Sequence, residues 1–322
     1  MSSAVTAAPL LFAPRHTRAL GERIAEKLGV TLAASEERDF EGGEHKMRAL
    51  GEVRGRDVYV IQSLNGDAHA SANDKLCRLL FFIGSLKDAG AMTVTACVPY
   101  LCYARKDRRT QSNDPTTTRY VAALFESVGT DRIVVVDIHN EAAFDNAFRC
   151  VTVRIPGADI FVEHVLAQLD STPCVVASPD VGGIKRAQLL REALVARSSR
   201  EIGFAFMEKR RIAGVVSGET LIGDVAGADV IIHDDMIVSG GTIARATRAA
   251  RLAGARKVLV AATHAAFTPE ALHLFGPDGP DRVLVSDSVA LSPAFAALAS
   301  RAPLVCPSAA AIATQILRLS AR

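Results

Sequence analysis

The sequence predicts an α/β chain of two domains, each a mostly parallel sheet flanked by helices, and three observations carry that expectation. Short β-rich runs alternate with helical patterns along nearly the whole length. The 322 residues, 49% of them apolar, suit two cores better than one. In each half a central strand ends in an acid beside a histidine, "VVVDIH" against "VIIHDD", which points to two related sheets.

Taken in order, "AVTAAPLLFAP" (4–14) lacks a basic flank and carries Pro9 in its middle, so it reads as a first buried strand rather than a signal peptide. "RDVYVIQSL" is the next strand. Leu76, Leu79, Leu80 and Ile83 then share one helix face, and Gly90 ends that helix before the strand "TVTACV". The helix "TRYVAALFESVG" and the strand "RIVVVDIH" complete a second βαβ unit. Pro156 and Gly157 interrupt the pattern in "RIPGAD", which sets the expected domains at 1–155 and 156–305. The second half repeats the alternation: "TPCVVASPD", a helix around "KRAQLLREALVA", the strands "EIGFAFME" and "DVIIHDD", the helix "TIARATRAARLAGA" and the strand "KVLVAATH". A closing helix within 306–322 could pack on either domain, the first included.

Gross properties exclude several functions. Thirty-seven Lys and Arg against 35 acids give a net charge of +2, so no global field draws the chain to nucleic acid or an anionic membrane. With 5% aromatic residues and no Trp, stacking platforms for single-stranded nucleic acid are scarce. No apolar run approaches the roughly 18 residues that a membrane span needs. Six cysteines without C-x-x-C spacing read as reduced, mostly buried thiols, and a cytoplasmic location is expected.

Four stretches carry chemistry. In "IIHDDMIVSGGTIARA" (231–246), Asp234 and Asp235 end a strand, where parallel sheets bind ligands. Ser239, Gly240, Gly241 and Thr242 then present backbone N–H groups and hydroxyls at a helix N-terminus, the place for a dianionic phosphate. The acids would repel that phosphate, so they face sugar hydroxyls or a metal; together the parts describe a cradle for ribose 5-phosphate. "SPDVGGIKRA" puts Asp180 at another strand tip before two glycines. "PYLCYARKDRRTQSND" gathers Arg105, Lys106, Arg108 and Arg109 in one loop, enough charge for a polyphosphate. "MEKRRIAGVVSGET" sets Lys209, Arg210 and Arg211 after a strand and before a Gly-containing stretch, an arrangement suited to phosphoryl transfer. His139 follows "VVVDI" and, on its own, reads as a structural residue as readily as a ligand.

Read together, "FEGGEH", "YARKDRR", "VVVDIH", "SPDVGGIKRA", "EKRR" and "HDDMIVSGGT" resemble the ribose-phosphate pyrophosphokinase (PRPP synthetase) family over nearly the whole chain. The resemblance implies two tandem phosphoribosyltransferase-type domains. It also implies transfer of the diphosphoryl group of MgATP to the anomeric hydroxyl of ribose 5-phosphate, giving PRPP and AMP. By the same resemblance, Asp234, Asp235 and residues 239–242 hold ribose 5-phosphate, while Phe40, Glu44, Arg105 and Lys106 hold ATP. His139 and Asp180 sit at the Mg²⁺ site, and Lys209 and Arg211 form the catalytic loop. A homo-oligomer is implied, with "FEGGEH" reaching a neighbour's nucleotide site. Val238, Lys106 and Gly42 depart from the commonest family pattern. Two alternatives remain open at this stage: a phosphoribosyltransferase that consumes PRPP, and a non-catalytic regulatory homologue of the synthetase.

Overall fold

The computed structural model describes residues 8–212 and 215–321, with the backbone alone described over 209–212 and 215–219. The described chain divides into two compact units, one up to Ile155 together with the residues from Ala309 onward, the other Pro156–Ser308.

The first unit begins with β1 (Leu10–Phe12) and α1 (Arg18–Leu28), then a hairpin of β2 (Ser35–Asp39) and β3 (His45–Ala49). Next come β4 (Asp57–Ile61), α2 (Ala72–Asp88), β5 (Thr93–Val98), α3 (Thr117–Ser127), β6 (Arg132–Val136), α4 (Glu141–Ala147) and β7 (Val151–Ile155). Its sheet is parallel throughout, in the order β1-β4-β5-β6-β7. Period-2 alternation sorts the strand side chains. Val58, Val60, Val94, Ala96, Ile133 and Val135 pack with the apolar stripes of α2 and α3 in one core. The alternate residues Tyr59, Ile61, Cys97 and Val134 are buried as well. The Tyr59 hydroxyl lies 2.9 Å from the Ser320 hydroxyl, which ties the C-terminal helix (Ala309–Ser320) to β4. That helix also packs on α1.

The second unit runs α5 (Gly157–Leu166), β8 (Cys174–Ser178), α6 (Ile184–Ser198), β9 (Ile202–Ile212), β10 (Val215–Ile222), β11 (Asp229–Met236) and α7 (Gly241–Leu252). It closes with β12 (Lys257–His264), a 3₁₀ turn (Pro269–Phe275), β13 (Arg282–Ser286), α8 (Pro293–Ala296) and β14 (Leu304–Cys306). The sheet order is β10-β9-β8-β11-β12-β13-β14, parallel except for the antiparallel pair β9 and β10. Val230, Ile232, Val258 and Val260 join Ile243, Ala246 and Ala250 of α7 in its core.

Two local differences from the sequence reading have physical causes. The strand "EIGFAFME" does not stop before the basic residues: β9 continues through Ile212 because β10 pairs with it. Acid and histidine also differ between the halves. Asp234 and Asp235 lie inside β11, which pairs with β12 as far as Met236. Asp137 instead follows β6 with φ 42°, a left-handed turn that ends the strand. No helix among the described residues is long and apolar enough to cross a membrane.

Phe125 is fully buried and its ring lies 6.3 Å from that of Phe148, whereas Phe81 on α2 is 68% exposed. Phe125→Ala is expected to cost about 3–5 kcal/mol in urea unfolding, and Phe81→Ala no more than about 0.5 kcal/mol. Similar midpoints for the two variants would contradict this packing.

Candidate functional site

The order of the second sheet reverses between two neighbouring strands. The chain leaves β8 toward β9 on one side and leaves β11 toward β12 on the other, so a crevice opens beyond their carboxyl ends. β11 runs beyond its last pairing with β8, Ile232 with Ala177, and carries Asp234 and Asp235 into that crevice. Asp235 is 4% exposed, and its backbone N–H donates to Asp234 Oδ1 at 2.8 Å. Arg186, one turn into α6, brings Nη1 to 3.8 Å from Asp234 Oδ1 and 3.6 Å from Asp235 Oδ1. Burial, and then the adjacent Asp235 carboxylate, hold the Asp234 carboxyl well above the usual carboxylate range, with Arg186 opposing the shift.

Just past the neighbouring strand β8, Asp180 folds back on its own turn. Its Oδ1 accepts the Gly183 N–H at 2.9 Å, and its carbonyl accepts the Ser178 hydroxyl at 2.7 Å. A Cβ at Gly183 would lie 2.8 Å from the Ser178 hydroxyl, so a larger residue there would have to displace that hydroxyl.

After β11 the chain is stitched down by Ile237 N–H to His264 O and Thr268 N–H to Val238 O, both 3.0 Å. Gly240 then takes φ 81° and starts α7 with no side-chain cap. The first N–H groups of α7 therefore have neither an intrahelical acceptor nor a capping oxygen, which is the geometry of an anion cradle. A Cβ at Gly240 would stand 2.7 Å from Leu274 Cδ1, so both backbone and space require glycine. Ser239 is exposed, Gly241 and Thr242 are half-buried, and Arg245 Nη2 donates to the Thr242 hydroxyl at 3.3 Å.

In the first unit, Arg105 is exposed in the loop after β5, while Lys106 is engaged inside that loop, its Nζ 2.6 Å from Asp114 Oδ2. The Lys106 and Thr110 bonds hold the Asp114 carboxyl below the usual range. His139 is exposed between β6 and α4. The Asn140 amide, which caps α4, also bonds Asp107, so the basic loop and the His139 segment are joined at one sheet edge. Phe40 and Glu44 are exposed around the β2–β3 turn, with the Arg38 guanidinium 4.9 Å from the Phe40 ring centre. Asp39 anchors the hairpin by pairing with Arg15 and Arg78.

Lys209 and Arg211 have their backbone in β9, paired with Glu219 and Val216 of β10; their side chains lie outside the described residues. The second unit thus brings together Asp180, Asp234, Asp235 and the 239–242 turn, and the first unit joins Arg105, Lys106 and His139 through adjacent loops. Arg186 and Asn140 were missed by sequence reasoning; the only signal for Arg186 was a cation one helical turn past the glycines of "VGGIKRA". No group of three or more His, Cys, Asp or Glu among the described residues is arranged to hold a metal by itself.

A buried acid pair beside an uncapped glycine turn, at the reversal point of a parallel sheet, defines a protein of phosphoribosyltransferase type. The phosphoribosyl transferase domain matches residues 155–278, and the N-terminal domain of ribose phosphate pyrophosphokinase matches residues 10–129. The chain is 37% identical over 290 residues to the ribose-phosphate pyrophosphokinase of Pasteurella multocida, covering 89% of both. It is 38% identical over 289 residues to that of Vibrio parahaemolyticus, covering 89% of this chain and 88% of the relative. The phosphoribosylpyrophosphate synthetase structure from Mycobacterium smegmatis superposes with a TM-score of 0.85 at 30% identity, over 97% of this chain and 98% of that one. The chain belongs to the ribose-phosphate pyrophosphokinase family.

A carboxyl whose folded pKa is raised favours the folded state below its unfolded value and loses that contribution as pH rises through the folded value. Asp234 is such a group. Asp234→Asn is therefore expected to be more stable than the parent at neutral pH, with the difference shrinking as pH falls toward about 4. Thermal unfolding across pH measures it; a gain that persists unchanged into acid would contradict the burial of this charge.

Proposed function

We propose that the chain transfers the β,γ-diphosphoryl group of MgATP to the anomeric hydroxyl of ribose 5-phosphate, forming PRPP and AMP. The observation that carries this reading is the acid pair Asp234 and Asp235 beside the uncapped 239–242 turn, on a chain of this family that also has "YARKDRR" and "EKRR". In this reading the turn amides, with the hydroxyls of Ser239 and Thr242, take the 5-phosphate. Asp234 and Asp235 accept bonds from the sugar hydroxyls and so fix the anomeric hydroxyl in line with the donor. Arg186 offsets part of the repulsion between the two carboxylates.

ATP is assigned to Arg105 and Lys106, with Phe40 and Glu44 contributed by a neighbouring copy in a homo-oligomer. The exposure of Phe40 and Glu44 on a hairpin tip supports that assignment. We assign roles toward Mg²⁺ to Asp180 in the second unit and to His139 in the first, each taken within its own unit. Asp180 presents a carboxylate at the turn after β8, and an oxygen donor suits this ion. The ion supplies charge neutralisation at the phosphate oxygens. A cytoplasmic location is part of the same proposal, supported by free cysteines that are mostly buried.

The bond that forms joins the anomeric oxygen to the β-phosphorus, and the bond that breaks joins that phosphorus to the bridging oxygen of the departing AMP. Negative charge moves to that bridging oxygen as the hydroxyl loses its proton. Lys209 and Arg211 are assigned to stabilise it.

Incubating the protein with MgATP and ribose 5-phosphate is expected to give AMP and PRPP in equal amounts. Release of ADP, or consumption of PRPP with a free base in place of its formation, would overturn the reading. Lys209→Ala and Arg211→Ala are each expected to lower kcat by about 10²–10³ with little change in KM. Near-normal turnover in either variant would remove that residue from the catalytic role.

A further inference from the structure

We propose that the second unit carries a separate binding site for a phosphoryl oxyanion, at the far end of α7 from the 239–242 turn. A cavity of about 160 Å³ opens there among the end of α7, the 3₁₀ turn and the start of β13, and Arg251, Arg282 and Arg301 line it. From Gly241 to Arg251 the helix rises about 15 Å, so this is not an extension of the sugar-phosphate cradle.

The charges at the cavity do not balance. Three guanidinium groups face one lining carboxylate, Asp281, which leaves two positive charges over (three minus one). Asp281 is itself engaged: Oδ2 accepts the Val258 N–H at 2.7 Å and lies 3.5 Å from Arg251. The carbonyl end of α7 disfavours an anion, but Arg251 in its last turn offsets that dipole. Two uncompensated cations match a phosphoryl dianion better than a single carboxylate.

The arginines are also held in place before any ligand arrives. Arg251 donates to Gly279 O at 2.7 Å, Arg282 to Ser300 O at 3.1 Å and Arg301 to Phe275 O at 3.1 Å. Each bond fixes one edge of a guanidinium that has five N–H donors and leaves others for a ligand. Arg282 Nε is buried without a hydrogen-bond partner, so the ligand-facing donors of this guanidinium are its remaining Nη hydrogens. Leu274 and Val283, both almost fully buried, form apolar wall that strengthens the attraction.

The oxyanion can be free phosphate or the head of a small phosphomonoester, and the experiment separates these sources. The full chain is titrated calorimetrically with inorganic phosphate and with glycerol 3-phosphate at constant ionic strength. Two classes of site are expected. The double substitution Arg282→Gln, Arg301→Gln should weaken one class at least 10-fold, and Thr242→Glu, which sets a negative charge at the turn, should weaken the other. Equal affinity for the two probes identifies the bare phosphoryl group as the ligand, and preference for glycerol 3-phosphate identifies a phosphomonoester; either supports the site. Because the arginine variant also loses backbone bonds, hydrogen exchange on the unaltered protein provides a second readout. Phosphate should protect amides within 274–283 in addition to those of 237–244. A single class of site, or protection confined to the turn, overturns the proposal. Neither readout depends on the diphosphoryl-transfer reaction.

Discussion

The pairing of β8 with β11 is the constraint on which the candidate site depends. These strands are distant in sequence, yet their register from Asp229 against Cys174 to Ile232 against Ala177 sets their carboxyl ends side by side. Because the chain departs from them in opposite directions, no crossover covers the crevice. Arg186 can approach both Asp234 and Asp235 only because α6 starts directly beyond β8. A slip of one residue in this pairing would turn Asp235 and its neighbours to the other face of the sheet.

The acid pair is a destabilising element that the surrounding structure holds in place. Two adjacent carboxylates at the edge of a core repel one another, and burial adds to that repulsion, which is why the Asp234 carboxyl stands well above its usual range. A single guanidinium at 3.6 and 3.8 Å compensates only in part. Such an arrangement disfavours the empty site and favours anything that brings hydroxyl donors or positive charge to it. The same logic applies to the turn, where uncapped amides await an anion at the start of α7. Acids and amides are kept apart by the three residues Met236–Val238, whose backbone is tied to His264 and Thr268. One rigid segment can therefore present opposite electrostatic preferences a few residues apart.

Much of this was legible in the sequence because it is local. Alternating apolar runs identified the strands, and the string from Ile231 to Ala246 contained both the acids and the glycine turn. Glycine at 240 was readable as a turn signal, but its second reason, the approach of Leu274 from a segment more than thirty residues away, was not. Arg186 illustrates the same limit. Its position one turn into a helix is local, while its role comes from a strand that pairs with β8 only in three dimensions. The extension of β9 past Glu208 depends on β10 as partner, and propensity within "EKRRI" carries no trace of that. Lys106 stood in a basic loop and invited a ligand role; its ion pair with Asp114, eight residues on, shows that it also shapes the loop.

Comparing the two units explains why similar strand ends lead to different local structures. The first sheet adds its strands in one direction, β1-β4-β5-β6-β7, so it has no reversal point and no uncovered crevice of the kind found beside β11. Its fourth strand, β6, ends at Val136, and the left-handed Asp137 directs the chain outward to His139 and the Asn140 cap of α4. The acid there is taken up in a turn and does not extend a strand edge. What the first unit offers instead is loops: the basic segment after β5, joined to the His139 segment through Asp107 and Asn140, and the exposed β2–β3 turn. A cradle needs a fixed strand end, whereas a flexible polyphosphate needs cations distributed over loops that can conform to it. The topology of each sheet thus decides which of these its strand ends can build.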